Sequence, residues 1–249
     1  MLIAAAVCPH PPLLVPDASG RSGPGDAELD RLRTACHEAV AALGAQRPDL
    51  VAVVGGVPGP SQTTEYPPRA TGSLREFGIP FTVGEDPQGP SVLPLSLTIG
   101  RWLLTPQLVG SAAGDRRTRR PAIALWGIEQ AAPTPQCLRL GEKLAALAPR
   151  VALLVMGDGP GRRARGAPGA RDRLADRYDQ RVAAALAEAD PGSLAALDPR
   201  QDGELFVAGR AAWQVLAGAA AHDPFTAELH YAAAPFEVSY FVATWRRAH

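Results

Sequence analysis

Three short stretches hold residue types that can do chemistry. His10 stands in Cys8-Pro-His-Pro-Pro12, directly after the apolar run Leu2 to Cys8. Proline fixes its own φ and pushes the preceding residue out of the helical region, so this stretch is expected to be a stiff, extended exit from a strand. An imidazole pinned there suits a metal ligand or a general base, or it can merely cap a turn. Asp158 lies in Gly157-Asp-Gly-Pro-Gly-Arg-Arg163, after the apolar run Val151 to Met156. Glycines let backbone N–H groups approach an anion, and arginine makes bidentate contacts to carboxylate or phosphate. The Gly-Lys-Ser/Thr ending of a P-loop is missing, and Pro160 spoils a dinucleotide fingerprint, so a plain crossover loop is the competing reading. Glu228 and His230 are two residues apart in a strand-like run and should share one face. They can ligate a divalent metal, form an orienting pair beside one, or line the solvent side of an edge strand.

These groups need a scaffold, and apolar periodicity supplies one. Buried strands are expected at Leu2–Cys8, Leu50–Val54, Ala122–Trp126 and Val151–Met156, with two further strands at 227–233 and 238–245. Helices are expected from Asp26 to Leu43, capped by Gly44, and at 93–104, 135–148, 171–189 and 203–220. Apolar strands alternating with helices argue for an α/β fold, a mixed and mainly parallel sheet between two helical layers. The closing strand pair suggests an antiparallel edge. In such sheets ligands gather past the carboxyl ends of the strands, where His10 and Asp158 both fall. The Gly55–Pro60 loop should lie beside the His10 loop if the first two strands are neighbours. Residues 61–90, dense in proline and glycine with one strand expected near 77–83, are too long for a simple connector. No internal repeat or charged linker divides residues 1–249, so a single domain is expected.

Composition narrows the function classes. The chain has 249 residues, 46% of them hydrophobic and 20% charged, as in ordinary globular proteins, with zero formal net charge. No global field draws in nucleic acid, and the basic runs Arg116–Arg120 and Arg162–Arg165 lack interleaved aromatics, so nucleic acid is not an expected partner. Cys8, Cys36 and Cys137 fit neither a disulfide framework nor a metal knuckle, which points to a reducing cytoplasm. No apolar run reaches the ~18 residues of a membrane span. His37 lies off the apolar stripe of its helix, and His222 and His249 receive no role. No Gly-x-Ser-x-Gly or HExxH motif is present.

Taken together, Cys8-Pro-His-Pro-Pro-Leu-Leu14, Gly157-Asp-Gly159 and Ala234-Pro-Phe-Glu-Val-Ser-Tyr-Phe-Val-Ala243 resemble the class III extradiol ring-cleavage dioxygenase superfamily. The nearest likeness is to its uncharacterised actinobacterial branch, with Memo-like proteins more distant. The resemblance runs over nearly the whole chain. It implies a three-layer αβα fold and, in active members, a non-haem Fe(II) held by two histidines and a carboxylate, which opens a catechol-type ring with dioxygen. A further histidine acts as acid/base.

Position by position, the implied site is incomplete. His10 matches the first ligand, and Asp158 matches the loop that carries the acid/base group. The second ligand position falls in Gly55-Gly-Val-Pro58, without a histidine, and Gly161 stands where the acid/base histidine is expected. His230 and Glu228 are the nearest matches to the final ligand. The implied metal set is therefore His10, His230 and Glu228, with His10 and Asp158 as catalytic candidates, and Fe(II), another divalent metal or none as cofactor. Two expectations follow: an oxygenase-type enzyme with an altered site, or a non-catalytic descendant that binds a small aromatic or anionic molecule or a protein partner. The same resemblance suggests a homodimer.

Overall fold

The computed structural model describes residues 1–16, 26–59, 62–85, 90–109, 120–161 and 169–248. Arg116–Arg119, Arg162–Arg165, His249 and most of the loop that follows Val15 lie outside them. Strand β1 (Leu2–Cys8) leads through a 3-10 turn to helix α1 (Asp26–Ala45), then β2 (Leu50–Val57). Three short strands follow, β3 (Thr64–Tyr66), β4 (Gly72–Ser73) and β5 (Thr82–Val83), before α2 (Leu95–Val109) and β6 (Ala122–Glu129). After α3 (Thr134–Ala145) and β7 (Val151–Met156) come α4 (Ala170–Glu188), α5 (Pro191–Ala195), α6 (Arg200–Leu205) and α7 (Arg210–Ala220). Strands β8 (Phe225–Ala233) and β9 (Tyr240–Arg247) close the described chain.

Seven strands form one mixed sheet in the order β3-β6-β2-β7-β1-β9-β8. The central four, β6, β2, β7 and β1, run parallel. β9 pairs antiparallel with β1 on one side and with β8 on the other, and β3 adds an antiparallel strand at the opposite edge. Alternating side chains split the core in two. Val7, Leu153, Val155 and Trp245 face α3, α4 and α7, while Ala6, Cys8, Leu154 and Val242 face α1 and α2. All seven β1 residues and all six β7 residues are buried, as expected for parallel strands covered on both faces. Among the described residues no helix is long and apolar enough to cross a membrane.

Several local expectations are corrected. β1 and β2 are not neighbours, because β7 inserts between them, so the segment that begins at Gly55 does not adjoin the His10 loop. Gly55 and Gly56 also lie within β2 rather than in a loop. Gly44 is inside α1, and the left-handed residue after the helix is Arg47, with φ 50°. The strand expected near 77–83 shrinks to Thr82–Val83, preceded by a 3-10 turn at Arg75–Phe77 that Gly78 closes at φ 75°. The helix expected at 203–220 breaks in two. Phe206 ends α6 in the left-handed region (φ 54°): Val207 donates back to the Asp202 carbonyl and closes the helix, and the Ala208 amide turns away to the Asp158 carbonyl.

That break places Arg210, fully buried, at the start of α7. Its guanidinium donates to Asp202 Oδ2 (2.7 Å), Ala132 O (2.6 Å), Gln130 O (2.7 Å) and Gln214 Oε1 (3.0 Å). Gln214 passes the network on to the Ala195 and Leu197 carbonyls. A buried arginine is tolerated only when its donors are used, and here one side chain ties the end of β6 to α5, α6 and α7.

Candidate functional site

β1 and β7 run parallel with Cys8 opposite Met156, so the residues that follow them emerge side by side. Pro11 is extended (φ −65°, ψ 141°), in keeping with a proline-stiffened exit. His10, only 5% exposed, donates its backbone N–H to Asp158 Oδ1 at 2.8 Å. Its ring Nδ1 lies 3.5 Å from the same oxygen, buried and without a hydrogen-bond partner. Asp158 therefore fixes the backbone of the His10 turn and sits beside the imidazole.

The Asp158 loop is fastened on every side. Gly157 N donates to Cys8 O (3.0 Å), Gly159 N to Ser239 O (2.8 Å) and Gly161 N to Leu205 O (2.8 Å). These amides are thus engaged with protein carbonyls rather than turned outward as an anion cradle. Gly157 and Gly159 serve close packing instead. A Cβ on Gly157 would lie 2.7 Å from Gly209 Cα, and one on Gly159 would lie 2.8 Å from the Phe241 ring.

Buried thiols and phenols surround the pair. Cys8 and Cys36 are free and buried, and burial, then the neighbouring Cys8 and the Asp158 charge, push the Cys36 thiol well above its usual range. Burial, followed by the Asp158 charge, raises the Tyr240 hydroxyl in the same direction. Tyr231 donates to Glu28 Oε1 at 2.7 Å. Burial and the nearby Asp158 charge thus hold Cys36 and Tyr240 toward their neutral forms, so both face the site as weak hydrogen-bonding groups rather than charges.

Glu228 and His230 form a second pair on β8, next to a bulge between Leu229 and Tyr231. His230 Nε2 is 2.9 Å from Thr244 Oγ1, and Nδ1 is 3.7 Å from Glu228 Oε1. Glu228 is largely exposed and also lies 3.6 Å from Arg246. The structure thus sets the four candidates in two pairs, His10 with Asp158 and Glu228 with His230, with β9 between their strands. Among the described residues no three His, Cys, Asp or Glu side chains gather where they could hold a metal ion. As placed, His10, His230 and Glu228 do not fit a three-donor iron centre.

The two positions without histidines differ in kind. A Cβ on Gly55 would fall 2.5 Å from Ser96 Cβ, and one on Gly56 would fall 2.7 Å from the Ala208 carbonyl. Packing therefore leaves no room for a ligand side chain at Gly55 or Gly56. At Gly161 the nearest atoms to a Cβ are 3.6 Å away, so that position has space and lacks only the side chain.

Residues 62–85 and 90–94 build a feature that periodicity did not reveal, although the length of this stretch singled it out. Arg101 on α2 donates to the Pro68 carbonyl, Thr71 O accepts from Val92 and Leu93, and β4 pairs with β5. Gly72 lies so close to α2 that a Cβ would meet Thr98 Oγ1 at 2.2 Å. The module encloses an open cleft of about 590 Å³ beside the carboxyl end of β2, lined by Val57, Tyr66, Ser73, Arg75, Thr82 and Ser91 among others. None of the four candidates above lines it. His37 is exposed on α1, its ring set edge-on to Trp102.

No family model matches the chain, and no curated protein matches it. Among solved structures it is similar to the crystal structure of uncharacterized protein JW3007 from Escherichia coli K12. The two share 15% identity over 97% of this chain and 99% of that chain, with a TM-score of 0.49.

Proposed function

We propose that the chain has the extradiol dioxygenase-like version of the αβα fold, with the iron-dependent ring-opening chemistry altered or lost. In this reading the carboxyl ends of β1 and β7 still receive a small aromatic or anionic molecule, held by a non-catalytic descendant of the fold. The observation that carries it is the separation of the two pairs. His10 and Asp158 keep their places at adjacent strand ends, while His230 is engaged with Thr244 and Glu228 beyond β9. In the stretch expected to carry the second ligand, packing excludes a side chain at Gly55 and at Gly56, and Val57 and Pro58 offer no metal donor.

One observation favours a second reading, an oxygenase-type enzyme with a rearranged site. The buried, unpartnered Nδ1 of His10 beside a carboxylate is a costly arrangement if nothing ever uses it. Anaerobic loading with Fe(II), metal analysis and an oxygen assay with catechols, on wild type and His10→Ala, separate the two. The first reading expects well below one iron per chain, no change on His10→Ala and no ring-opened product. About one iron per chain, lost in His10→Ala, overturns it in favour of the second.

A further inference from the structure

The cleft built by residues 62–85 and 90–94 is a site of its own, and its lining names a ligand class. It opens beside β2, with β7 between that strand and the one leading to His10. Its volume, about 590 Å³, falls in the range of small-molecule sites. Its surface is unlike the apolar lining usual for a drug-like or aromatic ligand. Thr82 and Ser91 bring hydroxyl-bearing side chains, Tyr66 a ring, Arg75 and Glu76 opposite charges, and Val57, Val92, Leu93 and Pro94 an apolar side. The Ser73 hydroxyl is already engaged, donating to Phe81 O and accepting from the Arg75 amide. Arg75 is exposed, and among the described residues its guanidinium has no ion-pair or hydrogen-bond partner. Within the same set of residues Glu76 stands unpaired rather than neutralising its neighbour.

We propose that this cleft binds a small polyhydroxylated anion, a sugar acid or sugar phosphate. The guanidinium takes the carboxylate or phosphate in a bidentate contact. The Thr82 and Ser91 hydroxyls and the Glu76 carboxylate exchange hydrogen bonds with the ligand's hydroxyls, and the Tyr66 ring covers its less polar face. The site is built rather than incidental: Gly72 seats β4 directly on α2, Arg101 holds Pro68, and Gly84 packs at φ 142° against Thr71.

Titration calorimetry with glucose 6-phosphate, gluconate, glucose and inorganic phosphate tests this on wild type, Arg75→Ala and His10→Ala. The Arg75 side chain has no partner to lose among the described residues, so its variant should fold normally, with an unchanged thermal midpoint. The expected result is binding of glucose 6-phosphate, gluconate or both, more tightly than glucose. Arg75→Ala should weaken it about tenfold or more, and His10→Ala should leave it unchanged. Whichever anion binds identifies the phosphate or the carboxylate as the group recognised. No binding of either anion at millimolar concentration overturns the proposal, as does equal binding by Arg75→Ala. Inorganic phosphate binding as tightly as glucose 6-phosphate overturns the polyol part. Loss of binding in His10→Ala alone would move the ligand to the strand-end site, leaving the proposed function standing while this inference fails.

Discussion

The amide of His10 reaches the carboxylate of Asp158 across two strand ends, from residues 148 positions apart in the chain. The contact is local in space only because β7 slots in beside β1, so it reports directly on correct sheet assembly. Asp158→Ala leaves that buried amide without an acceptor and should cost ~1–3 kcal/mol of stability in urea unfolding. Asp158→Asn keeps an oxygen in place and should stay close to wild type. Equal loss in both variants would show that the charge, not the acceptor, is what the turn needs.

Arg210 is the most exacting buried residue. Arg210→Met removes a cation whose donors satisfy Asp202, Gln214 and two carbonyls at the end of β6. Leaving Asp202 buried and unpaired should cost ~3–5 kcal/mol. Adding Asp202→Asn to Arg210→Met should recover part of that loss, measured by the same urea midpoints.

Asp202 also predicts a pH dependence. Burial outweighs the neighbouring Arg210 and pushes its carboxyl from 3.8 up to about 6. A carboxyl whose folded pKa is raised holds its proton while the unfolded chain gives one up. Its stabilising contribution is therefore full below about pH 4 and is lost as pH rises to about 6. Asp202→Asn should flatten the stability profile across that window, and a wild-type profile that rises there would refute the assignment.

Helices α3 and α7 meet through glycine. A Cβ on Gly218 would stand 2.1 Å from the Leu138 carbonyl, and one on Gly141 would stand 2.1 Å from the Val215 carbonyl. Gly218→Ala should therefore push the helices apart and cost ~1–3 kcal/mol or more, lowering the thermal midpoint. Gly203→Ala is the contrasting control, because nothing lies within 4 Å of its Cβ position, and it should be neutral or stabilising by up to ~1 kcal/mol.

The strands were legible where burial alone decides them. Val151–Met156 and Leu2–Cys8 are continuous apolar runs, and both occur at the expected residues. Glycine misled at Gly55 and Gly56, where it marks a tight strand–helix contact rather than a loop. The helix over 203–220 breaks because the Asp158 carbonyl captures the Ala208 amide, a long-range hydrogen bond that no local pattern encodes. Strand order was hidden for the same reason, and with it the separation of Gly55 from His10. Glu228 and His230 were legible as a pair and β9 as a strand, whereas the insertion of β9 between β8 and the strand leading to His10 was not. Arg210 looked like any surface arginine, since nothing local distinguishes a cation whose acceptors lie on other elements.

The placement of β1 governs the order in which the molecule can assemble. Its two sheet neighbours come from residues 151–156 and 243–246. A strand made so long before either neighbour stays unpaired until both follow, and local helices can form well before the sheet closes around it. Such distant pairings slow folding and leave an apolar segment uncovered during synthesis. Refolding should be slow for a domain of this size, with β1 amides among the last to gain protection from hydrogen exchange.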